Sequence, residues 1–438
     1  MSAGEADRAT LERIFRAGVA AADPADALRE TVHVSGGALE IAGERLPSGS
    51  GVALLAAGKA AHPMAAAFDA IAGEHVSRGL SIGLSGTPSG PTRYRSLGAA
   101  HPIPDASSER AGRAALDFVA GLGARETLVV LLSGGSSSLL ACPAPGLARK
   151  AFADTTQLLL EDGAPIDELN CVRKHLSALA GGRLAAATPA RRVIVLVVSD
   201  VLGDRLDVIG SGPCAADPSR YADARALLLR RGLWERVPAA VRVHLEAGIA
   251  GALTETPWED DPRVRHVVLA NNRSARVGAE LAARAEGLRP LALSDRLAGE
   301  ARTVGRRLGR LARSLRPDRP LCLIAGGETT VRVTGRGRGG RSQELALAAA
   351  LELQGAIGIT LLAAGTDGCD GPTDAAGAFA DGASVARAAA LGTDAAGRLR
   401  ENDAYHFFAA IDGLLRTGPT GTNVMDLVLI RSDVVAPS

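Results

Sequence analysis

Apolar residues along this chain fall into two patterns. From Ala6 to Val32 they recur at helical spacing, with Leu11, Ile14, Phe15, Val19 and Leu28 on one stripe, and Asp23-Pro24 interrupts the stripe. Beyond a Gly-rich turn the pattern becomes short, nearly continuous apolar runs that end in glycine or a polar residue: 51–58, 80–86, 127–135 and 192–200. Each run is followed by a helix-like stretch. Strands that are apolar on both alternating sides are buried on both faces, so this alternation predicts a mainly parallel, Rossmann-like sheet with helices on both faces. Arg220 to Gly251 reads as helices, and Thr254 to Pro262 carries two prolines and four acids, as a connection would. A second series of strand candidates then begins at Arg265, continues at Leu288, Pro320 and Thr329, and ends at Gly358, with helices between. The expected organisation is two α/β domains, 1–253 and 263–438, with the active site in the cleft between them.

Composition narrows this picture. The 438 residues exceed one ordinary core, and 47% hydrophobic with only 3% aromatic residues means that Ala, Leu and Val must do the packing. A formal charge of +1 gives no polyelectrolyte surface, so nucleic acid is not an expected partner and any positive site must be local. No apolar run approaches the roughly 18 to 20 residues that span a bilayer, so no membrane segment is expected. The five cysteines show no C-x-x-C pair, which argues against a zinc site or disulfide framework and for a reducing, cytoplasmic setting. Only three of the 49 basic residues are lysines, at 59, 150 and 174.

In open α/β sheets ligands gather beyond the carboxyl ends of the strands, which singles out the residues after each apolar run. Lys59 follows Gly58 at a strand-to-helix junction, where a cation is disfavoured unless an anion is present. Ser133, Gly134, Gly135, Ser136 and Ser137 form either a tight turn or a loop whose amides and hydroxyls cradle phosphate. Asp200 and Asp204 are either helix-capping groups or magnesium ligands. His101 lies in a proline-stiffened loop, and Arg173 and Lys174 either bind a substrate carboxylate or form a solvated basic face.

In the second half, Thr334 to Glu344 contains Gly335-x-Gly337-x-x-Gly340 with Arg336, Arg338 and Arg341 interleaved. Lone G-x-G-x-x-G matches are weak, but arginines can fork onto phosphate oxygens, and Arg341, at a helix start, is the favoured catalytic cation. Gly326, Gly327 and Glu328 supply another glycine turn, read as cofactor-binding. Asp367 and Asp370, in a loop with Asp374, need cations or solvent around them, with magnesium or arginine ranked above calcium because the EF-hand spacing is absent. Thr422 and Asn423 lie in a small polar segment that either closes over a ligand or turns the chain.

Taken in order, Gly58-Lys59-Ala60-Ala61, His101-Pro102-Ile103-Pro104-Asp105, Val172 to Ser177, Ser199 to Asp204, Gly210-Ser211-Gly212-Pro213 and Gly365 to Asp374 resemble the motifs of the glycerate 2-kinase family, whose C-terminal half is called the MOFRL domain. The resemblance runs through nearly the whole chain. It implies phosphorylation of D-glycerate at its 2-hydroxyl, with ATP and a divalent cation (Mg²⁺), giving 2-phosphoglycerate. It also implies that Lys59 and Arg341, which match the lysine and arginine regarded as important in the family, carry the activity. Ser136, Ser342 and Met425 depart from the family pattern, standing where Gly, Asn and Asn are expected. The rival readings are a nicotinamide-dependent hydroxypyruvate reductase, which lacks an acid at a strand end about 20 residues after the glycines, and a non-catalytic metabolite-binding regulator. A homodimer is the assembly the reading allows.

Overall fold

A computed structural model describes residues 3–47 and 51–434. The chain forms two compact units: one is Pro24–Leu269, the other joins Met1–Asp23 to Ala270–Ser438.

The first unit begins with a small antiparallel meander of β1 (Val32–Ser35), β2 (Ala38–Ile41) and β3 (Glu44–Arg45). Its main sheet contains β4 (Val52–Ala57), β5 (Val76–Leu84), β6 (Arg95–Ala99), β7 (Thr127–Leu132), β8 (Arg192–Val198) and β9 (Val264–Ala270), in the order β6-β5-β4-β7-β8-β9. The ladders joining β6 to β5, β5 to β4, β4 to β7 and β7 to β8 are parallel. Every residue of β4 and β7 is buried, which fits strands covered on both faces. Numbered by appearance within this sheet, the order is 3-2-1-4-5-6, the order of doubly wound dinucleotide folds. Its topological switch point lies between β4 and β7.

The second unit holds β10 (Arg289–Leu297), β11 (Leu321–Gly327), β12 (Ile359–Gly365), β13 (Gly377–Asp381), β14 (Leu414–Leu415) and β15 (Asp426–Ser432), in the order β10-β11-β15-β12-β13-β14. Only β10 and β11 pair in parallel, and the last strand of the chain lies between β11 and β12, antiparallel to both. The helix Arg341–Leu353 is buried from Ser342 to Ala350, packed through Ala346, Ala348, Ala349 and Ala350. Small side chains replace aromatic rings here, as the composition requires.

Two expectations change. The strand from Arg265 extends the first sheet as β9, where Val193 N donates to Arg263 O at the strand's entry, and the opening helix Ala3–Ala20 packs on the helix Asn272–Ala285. The division therefore falls at 269/270 rather than between 253 and 263, and residues 1–23 go with the second unit. The segment from Thr329 is not a strand. Asn402 Oδ1 accepts the amides of Thr334 and Gly335, and Glu401 O accepts that of Gly337, so side-chain and loop partners replace a ladder.

Candidate active site

The carboxyl edge of the first sheet gathers most of the residues singled out in the first unit. Lys59 follows β4, His101 follows β6, Ser133 to Ser138 follow β7, and Asp200 follows β8. Lys59 and the serine loop flank the switch point and are stitched together. Lys59 N donates to Gly134 O (2.9 Å), and Ala60 N donates to Ser133 Oγ (3.1 Å). Gly58 sits at φ +131°, and a Cβ there would overlap Ser133 Oγ, so only glycine lets the two loops meet. A Cβ on Gly134 would likewise overlap the Asp200 carboxylate. At Gly135, with φ +84°, a Cβ would lie 3.0 Å from His101 Cδ2 and 3.2 Å from Lys59 Cγ. These glycines bring Lys59, His101, Asp200 and the serine loop into one cluster.

The electrostatics of this cluster are open on the cationic side. Among the described residues, the Lys59 ammonium has no ion pair or hydrogen bond. Burial, then the Lys59 charge, pulls the His101 imidazole down to about 4, so it is neutral at physiological pH and offers a lone pair. Ser136 Oγ is buried without a partner, whereas Ser137 Oγ lies 2.9 Å from Ser211 Oγ, which donates to Asn170 Oδ1 (3.0 Å). Lys174, by contrast, is buried between Asp217 (3.2 Å) and Asp207 (3.6 Å), which take up its charge within the fold.

The second unit builds a different centre. Arg341 Nε and Nη2 fork onto Asp426 (2.6 and 2.8 Å), and Nη1 meets Glu328 Oε1 at 2.7 Å. Burial works against the guanidinium charge, but Asp426 and Glu328 outweigh it and hold the group above its usual range. Asp370 receives the amides of Ser342 (3.0 Å) and Gln343 (2.8 Å) on its two oxygens, capping the helix that Arg341 opens. Burial and then Asp426 push its carboxyl up to about 7, against those amides and Arg341. Asp367 Oδ1 accepts Cys369 N (3.0 Å), and its charge helps raise the buried Asp426.

The remaining expectations acquire local reasons. Gly326 makes room for Asn272, whose amide donates to Val424 O (2.9 Å) and Asp426 O (3.1 Å). Thr422 is buried and donates to Ala22 O (2.8 Å), while Asn423 Oδ1 accepts Met425 N (3.2 Å). Cβ atoms on Gly335, Gly337 and Gly340 would overlap Glu401, Asp403 and Asp370, so these glycines admit the protein's own chain rather than a dinucleotide. Arg338 lies over the Tyr405 ring at 4.6 Å. Sequence reasoning missed Asp426. Its signal was a lone acid opening the apolar run 427–430, and that run had not been read as a strand.

Residues 10–246 match the family described as a domain of unknown function (DUF4147), and residues 321–426 match the MOFRL family. The chain is 36% identical to the "Glycerate 2-kinase" of Pyrococcus horikoshii, over 95% of each chain. It is 40% identical to the "D-glycerate 2-kinase" of Thermotoga maritima, over 86% of this chain and 90% of that one. The chain belongs to the glycerate kinase family. The crystal structure of glycerate kinase from Thermotoga maritima superposes with a TM-score of 0.85 at 38% identity, covering 98% of this chain and 100% of that one.

Within this family framework, the residues expected to hold magnesium divide. Asp370 does not fit, because backbone amides occupy both its oxygens. Asp200 fits better, since the absent Cβ of Gly134 makes space for its carboxylate at the strand ends. Among the described residues, no group of three or more His, Cys, Asp or Glu side chains could hold a metal ion. A magnesium ion bound chiefly through phosphates and water requires only one or two carboxylates. Nor is any helix among these residues long and apolar enough to cross a membrane.

Proposed function

We propose that this protein transfers the γ-phosphoryl group of ATP to the 2-hydroxyl of D-glycerate, giving 2-phosphoglycerate and ADP. The observation that carries the reading is Lys59, a cation with no partner among the described residues, at the switch point of a 3-2-1-4-5-6 sheet and beside a glycine-serine loop. Phosphoryl transfer asks a protein for alignment and charge neutralisation more than for covalent chemistry. Lys59 stabilises the oxygens of the transferred group, and the Ser133 to Ser136 stretch orients phosphate through its amides and hydroxyls. The neutral His101 imidazole accepts a hydrogen bond from the attacking hydroxyl, takes up its proton as the oxygen bonds to phosphorus, and then passes it to solvent. The new bond forms between O2 of glycerate and the γ-phosphorus as the bond to the β,γ-bridging oxygen breaks, and ADP departs. Asp200, with Asp204 through water, would hold the divalent cation that accompanies ATP and neutralises its phosphate oxygens. In the second unit, Arg341 joins the Glu328 turn to Asp426, while the amides of Ser342 and Gln343 at the same helix start hold Asp370. The five free thiols support a cytoplasmic setting.

The test incubates purified protein with D-glycerate, ATP and Mg²⁺, and separately with hydroxypyruvate and NADH or NADPH. ATP-dependent ADP release coupled to phosphoglycerate supports the reading. Nicotinamide oxidation without kinase activity, or no turnover in either assay, overturns it.

A further inference from the structure

The helix Ile166–His175 ends in two adjacent cations with opposite surroundings. Lys174 is fully accounted for by Asp217 and Asp207. The Arg173 side chain makes no hydrogen bond or ion pair among the described residues, although it is only partly exposed. It lines a small recess with Ser137, Ser177, Gly210 and Ser211, to which Leu140 and Phe152 add apolar surface. Burial, with no acid to offset it, pulls the guanidinium down to about 10. A desolvated guanidinium without a counter-ion costs free energy in the empty protein, and an incoming anion offsets that cost.

The recess also supplies hydroxyl groups. Ser211 commits its proton to Asn170, which leaves the Ser137 hydroxyl to donate either to Ser211 or to a ligand. A planar fork of N–H donors, neighbouring hydroxyls and a small, partly apolar enclosure match one carboxylate on a short carbon chain better than a triphosphate.

We infer that Arg173 is the carboxylate-recognising residue of this site, taking the carboxylate of a short hydroxy acid in a bidentate fork with help from Ser137. The identity of that acid as D-glycerate rests on the proposed function, but the carboxylate preference does not.

Two measurements test this. In steady-state assays, Arg173→Met raises the KM for D-glycerate by about tenfold or more while the KM for ATP stays within about twofold, and Arg173→Lys falls between variant and wild type. The preference of the wild type for D-glycerate over neutral glyceramide shrinks by about the same factor in Arg173→Met. A rise in the ATP KM instead, or an unchanged glycerate KM in a folded variant, overturns the inference. Independently of turnover, thermal unfolding is followed with D-glycerate, D-lactate or hydroxypyruvate added, and with glyceramide as the uncharged control. The expected result is carboxylate-dependent stabilisation of the wild type, reduced in Arg173→Lys and lost in Arg173→Met. If no carboxylate stabilises the wild type, or all stabilise the variants equally, Arg173 is not the anchor. Stabilisation without kinase activity would uphold the anchor while removing the proposed reaction.

Discussion

Lys59 and Arg341 both stand where a strand or glycine loop meets a helix, yet their surroundings are opposite. Lys59 meets a neutral imidazole, small hydroxyls and glycines and, among the described residues, no carboxylate within ion-pair distance. Arg341 is forked onto Asp426 and held by Glu328, with Asp370 capping the same helix start. The difference teaches that a basic residue in a glycine loop is a ligand cation only to the extent that the fold leaves its charge unmatched. Among the described residues the Lys59 charge stays unmatched, whereas Arg341 is matched by Glu328 and Asp426 within its own unit.

Four substitutions test that contrast. Lys59→Ala has the largest effect on chemistry: kcat falls by about 10² to 10³, the usual cost of one transition-state electrostatic donor, with the urea midpoint unchanged. A lost midpoint would make Lys59 architectural too. Arg341→Ala strands the buried Asp426, so unfolding in urea reports a loss of about 2 to 4 kcal/mol along with reduced activity. Wild-type stability in this variant would contradict the tie.

Asp370 gives a pH signature. Its folded pKa, about 7, lies above the unfolded value of 3.8, so the folded state holds the proton more tightly. The stability this contributes is full below about pH 4 and is lost as pH rises through 7. Melting temperature should fall across that window, and Asp370→Asn should flatten the fall while lowering the whole curve through a weakened cap. An unchanged slope would remove Asp370 from the titration. The smallest effect is at Met425, whose φ of +69° is left-handed. Because Met425 is also buried, Met425→Asn should gain from the relaxed backbone and lose apolar burial, leaving urea unfolding within about 1 kcal/mol of wild type, and a loss beyond about 3 kcal/mol would show that burial outweighs the strain.

The parallel sheet was legible because doubly buried strands write themselves as unbroken apolar runs ending in polar residues, and 127–132 and 192–198 are the clearest cases. The mixed sheet was less so. Strand β15 begins with Asp426 after a polar loop, and its neighbours β11 and β12 lie roughly 100 and 65 residues earlier, so pattern alone could not place it between them. The same limit applies to charge. Nothing local distinguishes Arg173 from Lys174, because the acids that occupy Lys174 lie at 207 and 217. Nor does the G-x-G-x-x-G spacing reveal that its glycines accommodate Glu401, Asp403 and Asp370.

The central claim is transfer to the 2-hydroxyl by a site built around Lys59. Its most direct measurement is ³¹P NMR of the product formed from D-glycerate and ATP, with wild-type protein and Lys59→Ala side by side. The account predicts 2-phosphoglycerate from the wild type and almost none from the variant in the same interval. A resonance of 3-phosphoglycerate, or equal product from both proteins, would contradict it.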